Sequence, residues 1–93
     1  MLISPDEIQK SLSGKNWQYK EQNINKDYTF DSYMDGISFI NNIAELAEAH
    51  NHHPDLTIGY CKVTVSISSH DLGGISTKCV NLALGIDRLL ENA

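Results

Sequence analysis

The spacing of apolar and polar residues changes period several times along the 93-residue chain, and each change marks an element. Ser4-Pro5-Asp6-Glu7 reads as a helix start, with a capping serine, a proline in the first turn and Glu7 three residues beyond the cap. Ile8 and Leu12 give this helix a small apolar face before Gly14 ends it. Over 17–21, Trp17 and Tyr19 alternate with Gln18 and Lys20, the period of a strand. Asn23 is expected to turn the chain, and 26–30 alternates again with Tyr28 and Phe30 on one side, completing a hairpin. From Ser32, a cap with Asp35 three residues on, the pattern becomes helical and runs to about residue 50. Ile37, Phe39, Ile40, Ile43, Ala44, Leu46 and Ala47 cover an arc of about 180°, wider than the ~100° stripe one sheet face needs. Such an arc suits either a deeply packed helix or one that packs on a sheet and also on another subunit.

Pro54 stops this helix, because the residue before a proline is pushed out of the helical region, so His52 and His53 fall on the turn beyond it. Residues 56–60 and 62–69 read as two more strands. In the second, Val63, Val65 and Ile67 face one way while Lys62, Thr64, Ser66 and Ser68 face the other, with His70 continuing the polar parity. Asp71, Gly73 and Gly74 form a loop, and Ser76 caps a last helix that turns Val80, Leu82, Ala83, Ile86, Leu89 and Leu90 toward a core. The order α-β-β-α-β-β-α predicts an α+β fold, a four-stranded antiparallel sheet with helices on one face, formed by a single domain over 1–93. The other face is then wet, occupied by ligand or paired with a second chain.

Composition narrows the function. A chain this short buries only roughly 60–65% of its unfolded surface, so a partner subunit would add stability. Seven basic against twelve acidic residues, net −5, argue against direct nucleic-acid binding, which needs clustered base. No apolar run approaches the ~18 residues of a membrane span, and residues 1–7 lack the basic and apolar regions of a signal peptide. Cys61 and Cys79 show no C-x-x-C spacing and read as reduced thiols, which makes the cytoplasm the expected address.

All four histidines, His50, His52, His53 and His70, fall within 21 residues. A single histidine is most simply a polar turn residue, but four on two segments that a hairpin brings together weaken that reading. A metal site would use neutral imidazoles, yet adjacent His52 and His53 tend to diverge and no i, i+4 pair or H-E-x-x-H companion is present. Acid–base chemistry needs only two imidazoles facing one pocket near their ordinary pKa. His52 and His70 suit that, with Glu48 orienting a ring, while His50 lies on the apolar arc and reads as a core histidine.

Glu48-x-x-x-His52-His53-Pro54, Tyr60 six residues past the proline and His70 ten past Tyr60 together resemble the signature of the pterin-4a-carbinolamine dehydratases. Trp17, Phe30, Phe39-Ile40 and Asn81-Leu82-Ala83 extend the likeness over most of the chain. The resemblance implies a 4a-hydroxytetrahydrobiopterin dehydratase that removes water from 4a-hydroxytetrahydropterin to give quinonoid dihydropterin, in recycling the cofactor of aromatic amino-acid hydroxylases. It implies His52 and His70 as acid–base residues, His53 (beside Pro54) holding the pterin, and Glu48 as a supporting hydrogen-bond partner. It also implies no metal, no organic cofactor, and a homodimer or homotetramer. A non-catalytic protein-binding module on the same fold, a coactivator or assembly factor, is the alternative. The sequence departs from the signature twice. Cys79 stands where the family has an aspartate, and Asn51 where an acidic residue often precedes the histidine pair. A weaker or more narrowly tuned catalyst is expected. Whether position 79 serves only the helix cap or also the site stays open.

Overall fold

The computed structural model describes residues 2–69 and 71–91; His70, a candidate above, lies outside the described residues. Helix α1 spans Pro5–Ser11, and the Ser4 side chain caps it by accepting from Glu7 N–H at 3.2 Å. The helix ends earlier than expected, at Leu12, with a turn between it and the first strand. Strands β1 (Gln18–Lys20) and β2 (Asn23–Thr29) form the expected hairpin, with a different turn. Lys20 pairs with Asn23, so the turn is Glu21-Gln22, at φ 52° and 68°. Two left-handed residues are what a two-residue hairpin matched to strand twist requires. Neither residue belongs to the usual turn set, which is why the sequence pointed to Asn23 instead.

Helix α2 covers Tyr33–His50, capped by Ser32, whose side chain accepts from Asp35 N–H at 3.1 Å. It is followed by β3 (Asp55–Ile58), β4 (Lys62–Ile67) and α3 (Thr77–Glu91). The sheet is antiparallel throughout in the order β1-β2-β4-β3. Ile24, Tyr28, Val63, Val65 and Ile67 point to the inner face and join Ile8, Leu12, Phe39, Ile43, Cys79, Leu82, Ala83 and Ile86 in one buried cluster. All three helices therefore lie over the same face, as expected. The outer face carries polar residues paired across strands: Thr64 Oγ1 donates to Asp27 Oδ1 at 2.7 Å, and Ser66 Oγ to Asn23 Oδ1 at 3.4 Å. Helices α2 and α3 approach closely at Gly85, where a Cβ would lie 3.1 Å from Leu46 Cδ2.

The wide arc of α2 is only partly covered within the chain. Gly36, Phe39, Ile43 and Ala47 are buried, Ile37, Ile40 and Leu46 are half-buried, and Ala44 is exposed.

Candidate functional site

Two helix ends build the histidine region. At the C-terminus of α2, Asn51 adopts the left-handed conformation (φ 51°, ψ 42°) and its N–H reaches Glu48 O at 3.2 Å. His52 N–H then bonds Ala47 O at 3.1 Å. This pair of bonds closes the helix and satisfies carbonyls that would otherwise be left open. Asparagine is among the few non-glycine residues that enter this region readily, so Asn51 has a backbone reason to stand where an acidic residue was expected.

The reversal sends the two neighbouring rings to different partners. His53 turns back over the last turn of α2, where its Nε2 meets Glu48 Oε2 at 2.5 Å. Both side chains are exposed, 57% and 77%, so the pair orients a ring at the surface and contributes little to stability. His52 goes the other way, half-buried, to Cys79 Sγ at 3.3 Å. His50 is half-buried in the last turn of α2 and belongs to no core cluster, which corrects its reading as a core histidine. The expectation that Glu48 would steady a ring fits, and the ring is that of His53.

The second helix end is the start of α3. Ile3 N–H bonds Ile75 O at 2.9 Å and Leu2 bridges Ser76, so the N-terminal segment pins the residues that enter the helix. Ser76 is the cap, and its carbonyl accepts from Cys79 N–H at 3.0 Å. Cys79, three residues on, reaches back so that Ser76 N–H points at Sγ at 3.5 Å, the reciprocal bond of a capping box made with sulfur. Ser69 Oγ sits 2.6 Å from Ser76 Oγ and 3.3 Å from Cys79 Sγ. Ser69, Ser76 and Cys79 are all buried. Cys79 therefore serves the helix start and also touches His52.

Burial holds His52 below the ordinary imidazole value, the Lys78 charge acts in the same sense, Asp71 opposes, and His53 and His50 add smaller lowering effects. The net effect favours the neutral form of the His52 ring.

Sequence reasoning missed Ser69, Asp71, Lys78 and the contact of Cys79 with His52. One signal was present: Ser69 follows Val63, Val65 and Ile67 in parity, and a serine on a core-facing register demands a buried hydrogen-bond partner. The open clefts lined by Ile8, Leu12, Trp17 and Tyr19, and by Lys26, Tyr28 and Asp87, contain neither His52 nor His53.

A single antiparallel sheet covered on one face by three helices, with His52 reaching across from the end of α2 to the start of α3, defines a small α+β protein. Comparison with known proteins makes this specific. A profile of the family described as pterin 4 alpha carbinolamine dehydratase matches residues 1–89, and the chain belongs to that family. A relative from Picosynechococcus sp., named as a candidate pterin-4-alpha-carbinolamine dehydratase, is 39% identical over 88 residues, 94% of this chain and 96% of the relative. One of the same name from Sulfurisphaera tokodaii is 38% identical over 89 residues, 95% of this chain and 96% of the relative. The crystal structure of a transcriptional coactivator/pterin dehydratase from Brucella melitensis superposes with a TM-score of 0.88 at 21% identity, covering 95% of this chain and 97% of the other. A pterin dehydratase-like protein identified as a RuBisCO assembly factor of the alpha-carboxysome superposes with a TM-score of 0.65 at 24% identity, covering 78% and 84%. These two superpositions speak to the fold.

Proposed function

We propose that this protein dehydrates 4a-hydroxytetrahydropterin, as its tetrahydrobiopterin form, to the quinonoid dihydropterin by histidine acid–base catalysis, and so takes part in tetrahydropterin recycling. The observation that carries the reading is the pair of imidazoles beyond α2, each steadied by its own partner, His53 by Glu48 and His52 by Cys79. Hydroxide is a poor leaving group. In the reaction one imidazolium protonates the 4a-oxygen, and the C4a–O bond breaks with its electron pair leaving on water. The N5 proton passes to a neutral imidazole and the N5 electron pair closes the C4a=N5 double bond, so protons and charge balance. His52 and His70 are the proposed acid–base pair, and His53, beside Pro54 and held by Glu48, is the proposed contact to the pterin ring. No metal or organic cofactor is needed for this step. Two free cysteines fit a reducing cytoplasm.

The test is dehydration of freshly generated 4a-hydroxytetrahydropterin, followed by absorbance. Wild-type protein should accelerate it, and the double variant His52→Ala, His70→Ala should lose roughly 10²–10⁴-fold. Buffer-level rates from folded wild type, or full activity in the double variant, overturn the proposal. The first of those outcomes would leave the second reading, a protein-binding module, supported by Met34 at 65% and Tyr60 at 79% exposure, the latter stacked on Tyr33 at 6.4 Å.

A further inference from the structure

We propose that Cys79 is the positioning residue of His52: its buried sulfur, 3.3 Å from Nε2, holds the ring from the place where the family signature has a carboxylate. This rests on the proposed function for its catalytic consequence, and on geometry alone for the pairing itself. Three observations make the sulfur a fixed anchor. Cys79 is fully buried. Its Sγ takes the Ser76 N–H at 3.5 Å as the reciprocal half of the α3 capping box, so the side chain cannot turn away without opening the helix start. Ser69 Oγ, itself bonded to Ser76 Oγ at 2.6 Å, contacts the same sulfur at 3.3 Å from the β4 side. A helix cap, a strand end and the imidazole thus meet on one atom.

The kind of partner matters as much as its position. A carboxylate within hydrogen-bond reach of an imidazole stabilises the imidazolium, whereas a thiol S–H can give orientation without a carboxylate's charge. Among the described residues, the charged and titratable groups acting on His52 besides Cys79 are Lys78 of α3, His50 of α2, His53 of the turn and Asp71 of the loop before α3, and of these Asp71 alone favours the charged ring. With sulfur at position 79, His52 gives up its proton at lower pH than a carboxylate-partnered ring would. The acid limb of the pH profile moves down with it.

The experiment is a histidine-ring NMR titration of the full chain, alongside kcat and KM for dehydration across pH, for wild type, Cys79→Ser, Cys79→Ala and Cys79→Asp. Cys79→Asp should raise the His52 midpoint by about one to three pH units, the usual effect of an opposite charge at this distance, and carry the acid limb of kcat/KM with it. Cys79→Ser, still a neutral hydrogen-bonding partner, should keep the wild-type midpoint and most of kcat. Cys79→Ala should lower kcat about tenfold or more at nearly constant KM, since it frees the ring without touching the pterin contacts. Should burying a carboxylate prevent Cys79→Asp from folding, the serine–alanine contrast still decides. A His52 midpoint unmoved in Cys79→Asp, or a Cys79→Ala variant equal to wild type in midpoint and kcat, overturns the proposal. The expected ring titrations with no dehydration by any variant would uphold the pairing and overturn only the dehydratase reading.

Discussion

Asn51 joins backbone and site. Its left-handed backbone lets His52 N–H close on Ala47 while His53 doubles back to Glu48, so one φ angle separates the two rings. Alanine at this position bears the Cβ strain that asparagine partly relieves by local hydrogen bonding, about 1 kcal/mol. We expect Asn51→Ala to lower Tm by about 4–8 °C in a thermal melt followed by circular dichroism, and Asn51→Gly to stay near wild type. At the same scale lies the main thing the sequence withheld. The capping relation of Ser76 and Cys79 was legible from a spacing of three. The Cys79–His52 contact spans 27 residues, and no local pattern encodes a meeting between the end of one helix and the start of another.

Lys26 shows what the elements impose on one another. Pairing puts it opposite Val65 on the core face of β2, between Ile24 and Tyr28, where a free ammonium would be costly. Asp87 of α3 answers it, accepting from Lys26 Nζ at 2.7 Å, Tyr28 Oη at 2.5 Å and Trp17 Nε1 at 3.0 Å. The Lys26 and Asp87 side chains are 16% and 13% exposed, so this ion pair is screened far less than one at the surface. Burial, then the hydrogen bond and charge of Asp87, push the Tyr28 phenol well above its ordinary value, so it remains a donor. One carboxylate therefore ties α3 to β2 and to the residue that opens β1. Removing it strands a cation and two donors: Asp87→Ala should cost ~3 kcal/mol, read as a lower urea midpoint at unchanged slope. Lys26→Met with Asp87→Leu should recover only the part due to the stranded cation, because the Tyr28 and Trp17 donors still lack their acceptor. Trp17, Tyr28 and Asp87 were each visible in the sequence, but their convergence depends on how α3 lies across the sheet.

At the scale of the whole molecule, the sheet's second face carries polar side chains, two pairs of which bond across strands. The unfinished surface lies instead on α2. Ile37, Ile40 and Leu46 are only half-buried, Met34 is exposed, and a chain of this size gains from covering such groups. We expect a dimer or tetramer, and light scattering at micromolar concentration should return twice or four times the chain mass. A monomer would refute it.

What the sequence determined by itself was everything governed by short-range periodicity and capping: seven elements in order, both serine caps at Ser4 and Ser32, the helix stop before Pro54, and the family signature carried by Glu48, His52, His53 and Pro54. These follow from interactions within a few residues, which spacing records directly. The turn residues of the first hairpin, the separate partners of His52 and His53, the second role of Cys79 and the convergence on Asp87 were decided only by the tertiary structure. The hairpin turn was hidden by residues outside the usual turn set. The contact of His52 with Cys79 and the convergence on Asp87 depend on where elements distant in sequence come to rest against a common core, and packing at that distance leaves no period in the chain to read.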